Sequence, residues 1–376
     1  MSTSIFVMAH KPYIPPADAA YHTMFVGAVG KEDIMPGCFR DDRGDDHISD
    51  LNPYFSELTG LYWLWKNYPG QENIGICHYR RFFVNTDKRI MTGSEFDEIL
   101  NSYDIIVPKY SPTDKTNREN YAEAHFVKDM DMTGYALKKL YPEYATAFDE
   151  MTQAHGTYFG NLFVTTRELF DDYCEYLFGI LTEVSANIDI SGYNDYEKRV
   201  YGFLSEFLLM PFIKARELRV FETPVAYSAE KAETHELVAA TGELLREGKT
   251  QEARSFLDQM LAIRPDLMLP DSDLSGELLL TVIAVSIKAY CDEAGENNYF
   301  TRENDLNALL IHLKKCYSIL RSISDNGEIS GDESGYMRFT GFDSAQAQVI
   351  LSADPSGRLG EKPLSAEKIQ GFFNGK

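Results

Sequence analysis

A chain of 376 residues with 58 acidic and 36 basic side chains, formal net charge −22, is long enough for two ordinary domains. It is too acidic for a nonspecific nucleic-acid binder or for a broad hold on anionic lipid, both of which need a basic surface. The five scattered cysteines (Cys38, Cys77, Cys174, Cys291, Cys316) are odd in number and form no CxxC pair, which argues against a disulfide framework or zinc site. The start, "MSTSIFVMAHKPY", lacks the basic and apolar regions of a signal peptide. No apolar run approaches the roughly 20 residues of a membrane span. These features point to a cytoplasmic chain that is at most peripheral to a membrane.

"SIFVMAH" is a strand candidate. "RDDRGDDHISDLN", residues 40–52, is an acid-rich loop leading into "NPYFSELTGLYWLWKNY", where apolar residues recur at helical spacing. Asn52 and Pro53 there suit the N-cap and first helical position. "NIGICHYR" and "YDIIVPK" are short β-rich runs of the kind buried in parallel sheets, with "SEFDEIL" as a crossover helix between them. "TYFGNLFVTT" is a further strand, and "RELFDDYCEYLFGILTEV" the helix after it. Alternating strands and helices predict an α/β sheet domain over residues 1–228.

From residue 229 the pattern is helical. "AETHELVAATGELLREGKTQEARSFLDQMLAIRPDL" resembles one tetratricopeptide-like hairpin turning at Gly248, but no second copy follows at the required period. "SGELLLTVIAVSIKAYCDEA" predicts a buried helix interrupted by Lys288, and "DLNALLIHLKKCYSILRSI" an amphipathic one. The Gly-, Ser- and acid-rich stretch from Ser324 predicts a flexible tail. Residues 229–376 are therefore expected to form a smaller helical domain.

Ligands of an open α/β sheet bind beyond the carboxyl ends of its strands. After the first strand come His10, Lys11 and Tyr13, which suit a phosphate and a stacked base, or simply a solvated loop. After "NIGIC" come His78, Tyr79, Arg80 and Arg81. Arginine forks match phosphate oxygens bidentately, and the phenol and imidazole add hydrogen bonds. If the strand continues, the two arginines point to opposite faces and only one reaches a cleft. Asp41, Asp42, Asp45 and Asp46 supply oxygen donors for Mg²⁺ or Mn²⁺, or form a solvated turn around Gly44. His125 and Asp129, four apart, share a face if helical, as a base with its orienting carboxylate or as a surface pair; Asp131 lies nearby. Glu206 interrupts an apolar helix, either desolvated toward general-base duty or paired with Arg199. No GxGxxG, P-loop, GxSxG or HExxH is present.

In order, "IFVMAHKPY", "GDDHISDLNPYFSELTGLYWLWKN", "IGICHYRRFF", "YDIIVPK", "GNLFVTTRELFDDYCEYLFGIL" and "DISGYNDYEKRVYGFLSEFLL" resemble a bacterial glycosyltransferase family of capsular and exopolysaccharide gene clusters, formerly a domain of unknown function. The resemblance covers nearly all of residues 4–210. It implies a GT-A-like fold and transfer of a sugar, for some relatives galactofuranose, from a UDP donor to a glycan acceptor. A lipid-linked acceptor would bring the chain to the inner face of the cytoplasmic membrane. Within the matching blocks Asn161 and Arg199 join the donor-binding candidates. The family's last block reads Ser-Glu-Arg, whereas this chain has Ser205, Glu206 and Phe207, so an arginine is missing there.

GT-A enzymes usually hold a divalent cation on a DxD motif at the end of a central strand. The comparable strand here ends in His78, Tyr79, Arg80 and Arg81, so the expectation is a donor diphosphate held without metal. Glu206, or Asp129 or Asp131, would deprotonate the acceptor in an inverting displacement. The competing reading is a catalytically inert sugar-nucleotide-fold scaffold for assembly proteins.

Overall fold

The strand predicted at the start is Thr3–Ala9 (β1), buried along its whole length in the computed structural model, which describes residues 2–355, 357–360 and 362–375. Ile5 and Val7 face one hydrophobic cluster while Phe6 and Met8 face another, the period-2 consequence of a pleated strand covered on both sides. The chain divides into Met1–Ser228 and Ala229–Lys376.

In the first unit the further strands are β2 (Tyr21–Phe25), β3 (Phe39–Arg40), β4 (Asn73–His78), β5 (Arg81–Phe83), β6 (Ile105–Pro108), β7 (Ser111–Pro112), β8 (Gly156–Thr157), β9 (Phe163–Thr165), β10 (Val220–Thr223) and β11 (Val225–Tyr227). The main sheet runs β10-β6-β9-β4-β1-β2-β3. β3, β2, β1 and β4 are mutually parallel, β9 runs antiparallel between β4 and β6, and β10 is parallel to β6. The sheet is therefore mixed, parallel except at β9 along this path. The predicted strand "TYFGNLFVTT" is also two pieces, because Gly160 (φ +96) and Asn161 (φ +52) turn the backbone between β8 and β9.

Helices α1 (Asn52–Phe55), α2 (Leu58–Asn67), α3 (Gly93–Leu100), α4 (Asn117–Ala124), α5 (Val127–Leu140), α6 (Ala145–Gln153), α7 (Arg167–Asn187), α8 (Val200–Ser205) and α9 (Leu209–Ala215) complete this unit. The larger cluster joins α2, α5, α7, α8 and α9 to Phe6, Met8, Ile74, Ile76 and Phe163. The smaller one joins Phe96 of α3 to Ile5, Val7, Cys77, Ile106 and Val164. Helix α3 begins in a capping box, Thr92 with Glu95.

At the sheet's centre Gly75 of β4 lies between Ile5 and Val164. A Cβ there would meet Ile5 Cδ1 at 2.2 Å and Val164 Cγ2 at 2.9 Å. Both neighbours are fully buried, so Gly75→Ala must displace the Ile5 and Val164 side chains within a packed core. Overpacking of this kind costs about 2 kcal/mol, and a calorimetric melting midpoint about 5 °C lower is expected.

The second unit is helical: α10 (Ala232–Arg246), α11 (Thr250–Ile263), α12 (Glu277–Glu293), α13 (Tyr299–Arg302), α14 (Leu306–Asn326), α15 (Gly331–Thr340), α16 (Ser344–Ala353) and α17 (Ala366–Phe373). Gly248 turns between α10 and α11 at φ +75. Lys288 is buried within α12, and its ammonium donates to the carbonyl oxygens of Phe300 (2.8 Å) and Thr301 (3.3 Å). The flexible tail expected from Ser324 is corrected. Three helices form there, capped by Ser330 with Glu333, by Asp343 and by Ser365. Their Ile350 and Ile369 join the unit's core. No helix among the described residues is long and apolar enough to cross a membrane.

Candidate functional site

The carboxyl end of β4 turns at once. His78 pairs with Arg81 across an antiparallel bridge, so Tyr79 and Arg80 are the two corner residues of a hairpin. Tyr79 N donates to Met8 O (3.1 Å) and Ser228 N to Arg80 O (2.9 Å). The expectation that the strand continues, with the arginines on opposite faces, is thus corrected. The hairpin holds four polar side chains at the edge where β1 also ends.

On the β1 side Tyr79 is the hub. The His10 ring stands edge-on to it at 5.2 Å and the Tyr13 ring at 6.3 Å. The Lys11 ammonium lies 5.5 Å and the Arg80 guanidinium 5.7 Å from its centre. Tyr13 is itself tied down, its hydroxyl 3.0 Å from Thr23 Oγ1. Burial pushes its phenol up to about 12. It therefore acts as a neutral aromatic wall.

On the other side stands the feature that sequence reasoning passed over, Glu57. The single helix expected over residues 52–68 is broken at Ser56, which takes φ 53, ψ −130. Asn52 bridges the break, its Nδ2 donating to Ser56 O (2.7 Å) and Thr59 Oγ1 (3.2 Å). Glu57 thereby takes the N-cap position just before α2, yet its carboxylate does not cap that helix. Instead Oε1 accepts from Asn161 Nδ2 at 2.7 Å and lies 3.9 Å from His78 Nε2. Asn161 Nδ2 also lies 2.8 Å from Ser205 Oγ, which precedes Glu206. No local sequence signal marks Glu57, because the amphipathic pattern reads straight through the break.

The charges of three guanidinium groups bear on His78. Burial, opposed by Glu57 and aided by Arg81, Arg80 and Arg199, pushes His78 down to about 4. The imidazole is neutral at physiological pH. Its Nε2 is sealed from solvent without a hydrogen-bond partner among the described residues, as is Asn161 Oδ1. Arg81 packs over Gly160, where a Cβ would stand 2.7 Å from its Nη1, so glycine is needed both for φ and for this approach. Arg199 Nε donates to Ser56 Oγ (3.2 Å), and its guanidinium lies 5.3 Å from the Phe203 ring.

The remaining candidates separate. His125 ends α4 in extended conformation, and Phe126 begins α5. His125 and Asp129 therefore do not share one helical face, and that expectation is corrected. The His125 ring stacks on Phe203 (4.2 Å) and Tyr196 (5.8 Å). Asp129 is buried, and both its oxygens lie 2.9 Å from Tyr193 Oη. Asp131 is exposed in a forked pair with Arg118. Glu206 follows α8, half-buried.

The aspartates of the 40–52 loop do not assemble for a cation. Asp41 is fully buried and accepts from Gly27 N, Ala28 N, Ser49 Oγ and Thr59 Oγ1. Asp42 is bound by Arg40, which lowers its carboxyl below the ordinary range. Asp46 accepts from Tyr62, and Asp45 is exposed. Among the described residues no three His, Cys, Asp or Glu side chains come together as a cation would need.

Comparison with known proteins fits this geometry. The family model "Domain of unknown function (DUF4422)" matches residues 4–217. A solved structure, the bifunctional glycosyltransferase WbbM in its apo form, superposes with a TM-score of 0.54 at 30% identity, covering 61% of this chain and 46% of that chain. The chain thus spans under half of that relative's length. No curated protein matches. The first unit has a GT-A-like fold, and a helical unit follows it.

Proposed function

Because the chain belongs to the DUF4422 family and its first unit shares its fold with a glycosyltransferase, we propose that it transfers a sugar from a nucleoside-diphosphate donor to a glycan acceptor. The observation that carries this is the hairpin that ends β4, which places Arg80 and Arg81 beside His78, with Arg199 bonded to Ser56 next to Glu57. Guanidinium forks match diphosphate oxygens, and fixed cations at the leaving group lower the barrier as its charge develops. Tyr79 and Tyr13, with His10 and Lys11, form an aromatic and basic wall suited to a nucleobase, taken to be uracil.

The acceptor oxygen attacks the anomeric carbon as the bond to the diphosphate breaks, and the bonding pair leaves on the diphosphate oxygen. We assign the acceptor's proton to Glu206. Glu206 directly follows Ser205, whose hydroxyl meets the Asn161 amide beside Glu57. A single displacement inverts the anomeric centre, and the cationic strand end makes the reaction metal-independent. Galactofuranose as the transferred sugar, and a lipid-linked acceptor in capsular or exopolysaccharide synthesis, are the narrowest forms of this proposal.

Calorimetric titration with UDP tests it. Wild type is expected to bind, and Arg81→Ala and Arg199→Ala to bind on the order of tenfold more weakly. EDTA is expected to leave wild-type binding and transfer unchanged; a loss restored by Mn²⁺ would overturn the metal-free part. Arg80 is buried, so Arg80→Ala needs a melting curve beside its titration. Absence of UDP affinity in wild type would favour the inert scaffold.

A further inference from the structure

We infer that Glu57 reads the hydroxyl groups of the transferred sugar, with Asn161 holding it in place. The inference rests on the donor-binding reading above and adds a specificity-determining residue to it.

Two backbone irregularities converge on this carboxylate. Ser56 breaks the helix at φ 53, and Asn161 occupies the left-handed region beside Gly160 at φ +96. Conformations of this kind cost of order 1–3 kcal/mol each, and they persist where the surroundings over-determine them. The partners that fix them are on the page. Asn52 and Arg199 hold Ser56, and Ser205 and Glu57 hold the Asn161 amide.

The result is a built set of acceptors. Glu57 Oε1 is pinned by Asn161, while Oε2 accepts no hydrogen bond among the described residues. Asn161, only 4% exposed, keeps its Oδ1 without a partner among the described residues, as does the Nε2 of His78, 3.9 Å from Oε1. Glu57 Oε2 wants donors and suits sugar hydroxyls, which both donate and accept, while Asn161 Oδ1 and His78 Nε2, sealed from solvent, come within reach of a hydroxyl only as the side chains around them move aside. Leaving such groups unmet makes a site reject a ligand that lacks the matching hydroxyls.

Position decides which part of the donor reaches them. His78, 3.9 Å from Glu57, belongs to the hairpin that carries Arg80 and Arg81, two of the arginines assigned to the diphosphate, and the sugar is the group bonded directly to that diphosphate. The charge sign agrees. A carboxylate welcomes a neutral polyol but repels a third phosphate in the same place, so Glu57 also selects nucleoside diphospho-sugars against nucleoside triphosphates.

The test compares UDP, UTP and a panel of UDP-glucose, UDP-galactose and UDP-galactofuranose on the full chain by calorimetry. Wild type should bind at least one UDP-sugar more tightly than UDP and bind UTP more weakly. Glu57→Gln is isosteric and keeps an oxygen for Asn161. Measured against its own affinity for UDP, it should lose the sugar's contribution by on the order of tenfold and gain affinity for UTP. Glu57→Asp, checked for an unchanged melting midpoint, should likewise lose the sugar's contribution. An unchanged sugar preference and unchanged UTP affinity in folded Glu57→Gln would overturn this inference alone. So would a wild type that binds UDP but favours none of the sugars. Failure of wild type to bind any of these nucleotides would overturn the donor-binding reading itself.

Discussion

Asp41→Ala is expected to lower the stability of the first unit by about 4 kcal/mol, a fall of about 10 °C in melting midpoint by calorimetry. The carboxylate is wholly buried, and its four donors come from three segments. Gly27 N (2.7 Å) and Ala28 N (2.9 Å) belong to the turn after β2, Ser49 Oγ (2.5 Å) to the loop before α1, and Thr59 Oγ1 (2.6 Å) to α2. Truncation strands all four at once, and each stranded buried donor costs roughly 1–3 kcal/mol before water or relaxation repairs part of it. Asp41→Asn keeps the shape but sets an amide N–H against some of those donors, so an intermediate loss is expected. The consequence extends to the site. Asn52, which bridges the Ser56 break, also touches Thr59 and packs against Gly27, so loosening Asp41 loosens the mount of Glu57. If Asp41 instead served a cation, Mn²⁺ would raise the wild-type midpoint and leave Asp41→Asn unmoved. That result would remove the structural assignment.

Much of the architecture was legible in the sequence because local pattern and tertiary environment agree there. "SIFVMA" is apolar at every position and is buried at every position. "RELFDDYCEYLFGILTEV" keeps helical spacing and forms one long helix. Gly248 marks the turn it was assigned. Legibility failed where long-range partners overrule local preference. Nothing in "NPYFSELTG" forbids a continuous helix, and the break at Ser56 follows from Asn52, Thr59 and Arg199, which the chain brings together only after folding. The Tyr79–Arg80 corner carries no Gly, Asn or Asp, so the usual hairpin signal was absent. The tail misled through composition, although "SGDE" at residues 330–333 is the capping-box pattern that starts α15. For the site, the cationic strand end was visible as a run of side chains, while its carboxylate partner, Glu57, lay 21 positions earlier, unremarked inside a predicted helix.

Protonation of His78 should tie both stability and donor binding to pH. Its ring is pushed down to about 4 from an ordinary value near 6.5, first by burial and then by Arg81, Arg80 and Arg199, against the pull of Glu57. The unfolded chain therefore binds this proton at a higher pH than the folded one. The stability contributed is fully present above pH 6.5, declines as pH falls toward 4, and is lost below it. The whole loss is about 3 kcal/mol. It should appear as a steeper acid limb in urea unfolding of wild type than of His78→Asn, which has no group to titrate there. A diphosphate bound to the three arginines would cancel the repulsion they impose, while Glu57 at 3.9 Å would remain to favour the imidazolium. The His78 pKa must then rise, and UDP binding near pH 5 should take up a fraction of a proton. Calorimetric enthalpies measured in buffers of different ionisation heat should differ for wild type and coincide for His78→Asn. An imidazole that titrates near 6.5 by NMR in the free protein, or enthalpies indifferent to buffer, would separate His78 from the arginines and leave the diphosphate to be placed elsewhere on the sheet edge.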